Sequence, residues 1–377
     1  MSEDPLRIAI VHPYPWPTVR RGGERYLHDL TWYLRGQGHN VTVITGSANT
    51  TRADGADRYV RFPNSRLLKA FGMTDLESFG LPVLPALRRE RFDVVHALVP
   101  TAGLAAKLAQ QTTVYTAIGP PPRRPKIRGR GLVGIGDGLR YKVFGLAMTR
   151  ANQVTVLSNH NADVVRQRYN LEPAVVPPGI RIDEFPLVET RSGPPRVLFA
   201  SALIPHKGLD LVVRAFARIL ERRPDARLGL SGLGDHRWVF DRLRDEKDDV
   251  ERSIDVLGVG SPEELPSVYG SADVTVLASR NEAFGLVLIE SLACGTPVVA
   301  TLPGGPADII DNDAVGRLAP HGDHEALAAA IDEAIDLARE PATPQTCRAH
   351  AARWSWTEHV GPAHERVYLE TISGARG

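Results

Sequence analysis

Short apolar runs recur along the chain, separated by longer stretches in which apolar residues return every three or four positions. In the first half the runs are Arg7–Val11, Val41–Thr45, Asp93–Leu98, Thr112–Ala117, Gln153–Leu157 and Ala174–Val176. Their length and flanks predict buried strands. Between them, Glu24–Gln37 and Thr101–Gln110 carry helical spacing, and Gly36, Gly38 and His39-Asn40 close the first helix before the second strand. Alternation of this kind predicts a parallel, doubly wound sheet.

The pattern breaks at Pro186–Pro195, which is rich in proline and polar residues and reads as a linker between domains. It then restarts, with strands expected at Arg196–Ala200, Ala226–Ser231, Ile254–Leu257, Val274–Ala278 and Pro297–Ala300. Helices are expected at Gly208–Glu221, Pro262–Gly270 and Phe284–Cys294, and the tail from Trp354 to Thr371 also reads as helical. The expected fold class is therefore α/β, with two Rossmann-like domains, 1–186 and 187–357, facing a central cleft. No internal repeat or coiled-coil heptad competes with that reading.

Composition narrows the class. A chain of 377 residues suits two cores rather than one. No apolar run reaches the roughly 18 residues of a membrane span, and the start does not read as a signal peptide. The two cysteines, Cys294 and Cys347, give no disulfide framework and no zinc cluster, which fits a reducing cytoplasm. Charge is uneven. Residues 1–190 hold 25 Lys/Arg against 16 Asp/Glu, a net +9, whereas residues 191–377 hold 20 against 28, a net −8. Either the first half attracts an anionic acceptor or membrane face, or a few surface loops carry the excess. Pro120–Arg130, with five basic residues and no acid, is one such segment. It lacks the interleaved aromatics of a nucleic-acid surface, so no nucleic-acid partner is expected.

The chemistry concentrates around Glu282 and Glu290, eight residues apart. One carboxylate falls in a loop and the other two helical turns on, with the helix N-terminus between them. Carboxylates accept hydrogen bonds from vicinal hydroxyls, and free N–H groups accept oxyanions, a combination that suits a sugar joined through phosphate to a ribose. The string from Ala278 to Ala300, containing ArgAsnGluAlaPheGlyLeuValLeuIleGlu, closely resembles the E-x7-E signature of the retaining nucleotide-sugar glycosyltransferases of family four. Val176–Phe185 is similar to that family's P-x-G-x-D-x-x-F segment. The resemblance spans nearly the whole chain.

The resemblance implies a GT-B fold whose last helix, about 358–377, returns to the first domain. It assigns Glu282, with the backbone of Ala283, Phe284, Gly285 and Leu286, to the donor sugar, and Glu290 to the ribose. Lys207, before Gly208, matches the lysine of the family's G-R-L-x-x-x-K-G motif and serves the diphosphate. Ser201 and Ala202 stand where the motif has glycine and arginine. An arginine from elsewhere, such as Arg21 or Arg280, must then substitute, or diphosphate binding is weaker. Gly22 and Gly23 match the Gly-Gly loop that touches donor phosphate and acceptor. Gly258 and Val259 match the backbone that reads the nucleobase, although Ser261 and Glu264 also spell a capping box there. Ile118 stands where many relatives carry a histidine, and His96 and Tyr14, with His12, are further acceptor-side candidates, although residues so placed are more often structural.

No cofactor and no metal are expected, since no His/Cys cluster has ligand spacing. Charge on the departing diphosphate then falls to Lys207 and helix N-termini. Two rivals stay open: a nucleotide-sugar epimerase of the same architecture, and a non-catalytic nucleotide-sugar binding protein. A dehydrogenase fits less well, because no G-x-G-x-x-G follows a strand. The expected location is cytoplasmic, with peripheral membrane association through an anionic or lipid acceptor. The sequence leaves sugar, base, acceptor and oligomeric state open.

Overall fold

The computed structural model describes residues 4–17, 19, 21–46, 58–60, 78–119, 132–188, 192–242 and 247–376. Contacts divide the chain into two units. The first comprises Met1–Gly179 with Trp356–Gly377, the second Ile180–Ser355.

The first unit is built on seven parallel strands: β1 (Arg7–Val11), β2 (Asn40–Gly46), β3 (Arg58–Val60), β4 (Val94–Ala97), β5 (Thr113–Ala117), β6 (Gln153–Val156) and β7 (Ala174–Val175). Their order is β3-β2-β1-β4-β5-β6-β7. The apolar runs form strands because both faces of the sheet are covered. Ile8, Ala9, Ile10 and Val11 are all inaccessible to solvent, as expected for strands buried on both faces. β3 lies outside the predicted elements; its three residues carry too little pattern to announce it.

The C-terminal helix Gly361–Arg376 belongs to this first unit. It is fixed by polar contacts rather than by an apolar stripe alone. Tyr26 Oη lies 3.0 Å from His364 Nε2, Tyr33 donates to Glu365 at 2.9 Å, and the Tyr368 hydroxyl lies 2.6 Å from His96 Nδ1. Trp356 stacks on His364 with ring centroids 5.9 Å apart.

The second unit repeats the plan with six parallel strands: β8 (Arg196–Ala200), β9 (Arg227–Ser231), β10 (Ile254–Gly258), β11 (Val274–Leu277), β12 (Val298–Leu302) and β13 (Gly316–Pro320). The order is β10-β9-β8-β11-β12-β13. The helix Leu209–Arg222 buries Leu209, Val212, Val213, Phe216 and Ile219 in this unit's core. That is the i, i+3, i+4, i+7 stripe of an amphipathic helix. The helix His324–Leu337, capped by the Asp323 carboxylate on the Ala326 N–H, covers the same core. Each fully buried aliphatic or aromatic side chain stabilises such a core by roughly 1.5–3 kcal/mol.

The Pro186–Pro195 stretch does not separate the two units where the sequence placed the linker. The division falls earlier, at Gly179/Ile180, because the following residues pack on the second unit. Arg348 donates to the carbonyls of Phe185, Ala293 and Ile182, and the Val188 N–H donates to the Cys294 carbonyl. The second division likewise falls at Ser355/Trp356 rather than at 357.

Candidate donor and acceptor sites

In both sheets the order reverses beside the first strand, between β1 and β4 and between β8 and β11. Loops leaving neighbouring strands at such a point diverge, and the gap at their carboxyl ends is where open α/β sheets take ligands. In the second unit the loop after β8 carries Lys207 and the loop after β11 carries Glu282. Lys207 Nζ donates to Glu282 Oε2 at 3.0 Å, with side chains 26% and 17% exposed. A partly solvated pair of this kind adds only about 0–1 kcal/mol to stability. Stability alone is therefore a weak reason for both charges at this edge. One ammonium proton is used, and the remaining two are available to an anion.

Two backbone devices hold the pair in place. Gly208 follows Lys207 with φ +76°, and a Cβ there would lie 2.1 Å from the Ala278 carbonyl oxygen. The loop after β12 presses on the Glu282 loop in the same way. The Gly305 N–H donates to the Glu282 carbonyl at 2.9 Å, and a Cβ on Gly305 would meet the Ala283 carbonyl oxygen at 2.3 Å. The Arg280 N–H donates to the His206 carbonyl at 3.2 Å, tying the two charged loops directly.

Glu290 sits in the helix Leu286–Ala293, and its Oε2 accepts from the Tyr269 hydroxyl at 2.6 Å. Tyr269 is 1% exposed and ends the helix Leu265–Gly270. The helix Leu286–Ala293 starts at Gly285 with no side-chain cap, which leaves its first-turn N–H groups without a side-chain acceptor. Ala283 and Phe284 are buried, and Phe284 packs edge-on against Trp354 at 6.1 Å. These two residues can therefore offer a ligand their backbone, not their side chains. Gly285 is buried and Leu286 half-buried.

Ser201 extends the central β8–β9 ladder through its N–H to the Ser231 carbonyl, 2.9 Å. The Gly258 carbonyl is occupied by the Gly232 N–H at 2.9 Å, while Val259 is exposed. Part of the expected capping box forms: Glu264 Oε2 accepts from the Ser261 N–H at 2.7 Å.

In the first unit, the helix Gly22–Gly36 begins at the Gly-Gly pair, again without a side-chain cap. A Cβ on Gly23 would lie 2.8 Å from Ile118 Cδ1 and 3.8 Å from His12 Nε2. Gly23, Ile118 and His12 therefore converge at the carboxyl ends of β1 and β5. Tyr14 adjoins them: its carbonyl lies 3.0 Å from His12 Nδ1, and the Arg21 guanidinium sits 5.9 Å from its ring centroid. Burial lowers the His12 imidazole to about 4; the Tyr14 carbonyl opposes this and Arg21 adds to it. Glu24, buried in the helix's first turn, has its carboxyl raised by desolvation, against its own backbone N–H and Arg21.

His96 is a correction. It is inaccessible to solvent, with Nδ1 on the Tyr368 hydroxyl and Nε2 on the Thr116 hydroxyl. Burial pushes it well below the ordinary histidine range, and His364 pushes in the same direction. It is a core residue that anchors the returning C-terminal helix, not a group an acceptor can reach. The basic Pro120–Arg130 segment lies outside the described residues. Arg280 lines a cavity with His206. Among the described residues no group of three or more His, Cys, Asp or Glu is placed to hold a metal. The Asp-x-Asp tripeptide Asp311-Asn312-Asp313 is engaged structurally, with Asp311 paired to Arg353 at 2.6 Å. No described helix is long and apolar enough to cross a membrane.

Tyr269 and the Gly304–Gly305 turn are the site residues that sequence reasoning missed. The glycine pair between Pro303 and Pro306 was a visible turn signal. The Tyr269 contact had none, since it joins residues 21 apart in unrelated elements.

Two Rossmann-like units of this order make a GT-B fold. A sucrose-phosphate synthase from Thermosynechococcus elongatus superposes with a TM-score of 0.80 over 97% of this chain and 99% of that one, at 22% identity. An Anabaena protein, HepE, in complex with UDP-glucose superposes with a TM-score of 0.71 over 98% and 100%, at 19% identity. The family model "Glycosyltransferase Family 4" matches residues 20–184, and "Glycosyl transferases group 1" matches residues 181–353. The D-inositol 3-phosphate glycosyltransferase of Mycolicibacterium smegmatis is 33% identical over 95% of this chain and 90% of its own length. That of Corynebacterium jeikeium, also 33% identical, is matched over 54% of this chain and only 53% of its own length. The chain belongs to the group 1, family four glycosyltransferases.

Proposed function

We propose that the chain moves a sugar from a UDP- or GDP-linked donor to a hydroxyl or other nucleophile of a small-molecule, glycan or lipid acceptor. The transfer retains anomeric configuration and needs no metal. The observation that carries this reading is the Lys207–Glu282 contact at 3.0 Å beside the uncapped start of Leu286–Ala293. Glu282 accepts from the donor sugar's hydroxyls, and Glu290, held by Tyr269, accepts from the ribose. Lys207 and the first-turn amides meet the diphosphate, whose negative charge grows as it leaves. The bond from the anomeric carbon to the phosphate oxygen breaks, and the bond to the acceptor oxygen forms on the same face. The acceptor proton passes to the departing phosphate, so no separate base is required. Products are the glycoside and the nucleoside diphosphate.

The HepE complex with UDP-glucose supports a nucleotide-sugar donor, and UDP above GDP. Relatives named for D-inositol 3-phosphate and for sucrose phosphate support an acceptor bearing hydroxyls and a phosphate. The net +9 of residues 1–190 favours the same choice. A thermal-shift panel of nucleotide sugars selects the donor, because a ligand of the folded state raises stability by mass action. With that donor, Glu282→Ala is expected to lower transfer and slow donor hydrolysis by at least about a hundredfold, and EDTA is expected to change neither. Full turnover in Glu282→Ala, or a metal requirement, refutes the reading. Isomerised donor without glycoside formation identifies the epimerase instead.

A further inference from the structure

We propose that the second unit carries a separate anion site next to the Lys207–Glu282 pair, built to take a phosphate monoester. A cavity of about 420 Å³ opens at the carboxyl edge of β8, β11 and β13. Its wall includes His206 from the turn after β8, Asp210 and Arg214 from the helix Leu209–Arg222, Arg280 after β11, and His321 and His324 after β13. The volume falls in the lower part of the range for small-ligand sites.

Three observations give the cavity its sign and its demand for a ligand. First, the other arginines of the helix Leu209–Arg222 and the residue after it are paired. Arg218 bonds Glu221 and Glu325, Arg222 bonds Asp332, and Arg223 bonds Asp332 and Asp336. Arg214 has no carboxylate partner among the described residues, nor has Arg280. In a half of the chain with a net charge of −8, two unpaired guanidinium groups on one cavity are out of keeping. Second, His321 Nδ1 is buried and has no hydrogen-bond partner. Buried polar atoms are normally satisfied, and an orphan calls for a ligand. Third, the acids nearby are engaged: Glu325 accepts from Arg218 and lies 3.4 Å from His324 Nε2, and Asp210 has an interaction of its own. Two guanidinium forks with imidazole nitrogens match the three free oxygens of a phosphate monoester better than a carboxylate.

The site shares its walls with the donor grip. His206 precedes Lys207, Arg280 lies two residues before Glu282, and the Arg280 N–H to His206 carbonyl bond joins the loops. A phosphate held by Arg214 and Arg280 ties the Glu282 loop to the helix Leu209–Arg222, and through the Arg280 N–H to the His206 carbonyl it steadies the Lys207 turn, which tightens donor binding. By linkage, donor binding tightens phosphate to the same degree. This consequence rests on the proposed donor site; the existence of the anion site does not.

The test is calorimetric titration of the full chain with inorganic phosphate and with glucose 6-phosphate, in wild type, Arg214→Ala, His321→Asn and Lys207→Ala. Arg214 is exposed on its helix, so its replacement leaves the fold intact, and a thermal melt checks this. Phosphate affinity is expected to fall roughly tenfold or more in Arg214→Ala, to fall in His321→Asn, and to change less than about twofold in Lys207→Ala. Loss in Lys207→Ala with Arg214→Ala unchanged would place the anion at the donor pair and overturn the proposal, as would absence of binding. Tighter binding of the hexose phosphate than of inorganic phosphate names an organic ester as the ligand, and the opposite ranking names the free ion. Arg214-dependent phosphate binding in a chain that binds no nucleotide sugar would leave this site standing and remove only the donor reading.

Discussion

Tyr269→Phe removes a hydrogen bond that holds Glu290. The hydroxyl donates to Glu290 Oε2 at 2.6 Å, the length of a charge-assisted O–H···O⁻ bond. Such bonds contribute about 1.5–3 kcal/mol when both groups are buried. Here Tyr269 is 1% exposed but Glu290 is half-buried, so water replaces part of the lost bond. The lower end, about 1.5 kcal/mol, is the better figure, and it corresponds to about tenfold in affinity. Phenylalanine retains the ring contact with Phe185 at 6.5 Å, and the Tyr269 carbonyl still accepts from Thr296. The fold therefore survives, and the effect falls on the orientation of Glu290. Calorimetric titration with the nucleotide sugar selected by thermal shift should show about tenfold weaker binding. A Glu290→Ala variant measured alone and combined with Tyr269→Phe should show strong non-additivity, because both act through one group. Donor affinity unchanged within twofold, or a purely additive cycle, would refute the assignment of Glu290 to the ribose and of Tyr269 to its support.

Gly208→Ala forces a side chain into a left-handed backbone and within 2.1 Å of the Ala278 carbonyl. Strain and overlap together cost roughly 3 kcal/mol, so calorimetry should show the melting temperature lowered by several degrees; an unshifted Tm would contradict the close approach. Acid should destabilise the first unit through His12, His364 and His96, which burial holds neutral, the first two at about 4 and about 3. The unfolded chain takes up these protons near pH 6.5, whereas the folded unit refuses them until far lower. The stability they confer is present above pH 6.5 and is lost as pH falls towards 4, by on the order of 1.4 kcal/mol per proton per pH unit at most. Urea midpoints of the first unit at pH 7.5 and 5.5 measure it, and equal midpoints would show that these imidazoles are solvated.

The strand framework was legible because parallel strands buried on both faces leave uninterrupted apolar runs. Arg196–Ala200 was placed to the residue, and most others to within one or two. Lys207 and Glu282 were picked out by their motif resemblance, each just after an apolar run, and the structure pairs them at 3.0 Å. β13 and the helix His324–Leu337 were passed over, although Asp323 as N-cap and the apolar spacing of Leu327, Ile331 and Ala334 announce that helix. Alanine-rich segments weaken the contrast that periodicity relies on. His96 shows the opposite limit. A histidine at a strand end looks the same in sequence whether it meets ligand or core, and only the returning Tyr368 decides between them. The misplaced linker has a similar cause: Pro186–Pro195 is turn-like locally, but Val188 and Phe185 are captured by residues a hundred or more positions later.

Since Trp356–Gly377 completes the first unit, the second is in effect an insertion between two pieces of one globule. A ribosome releases residues 1–179 long before Tyr368 arrives to close over His96. The nascent first half must wait with its central polar cluster unsealed, while the second half has all its own parts in hand. A premature stop after residue 357 would therefore damage the first unit and spare the second.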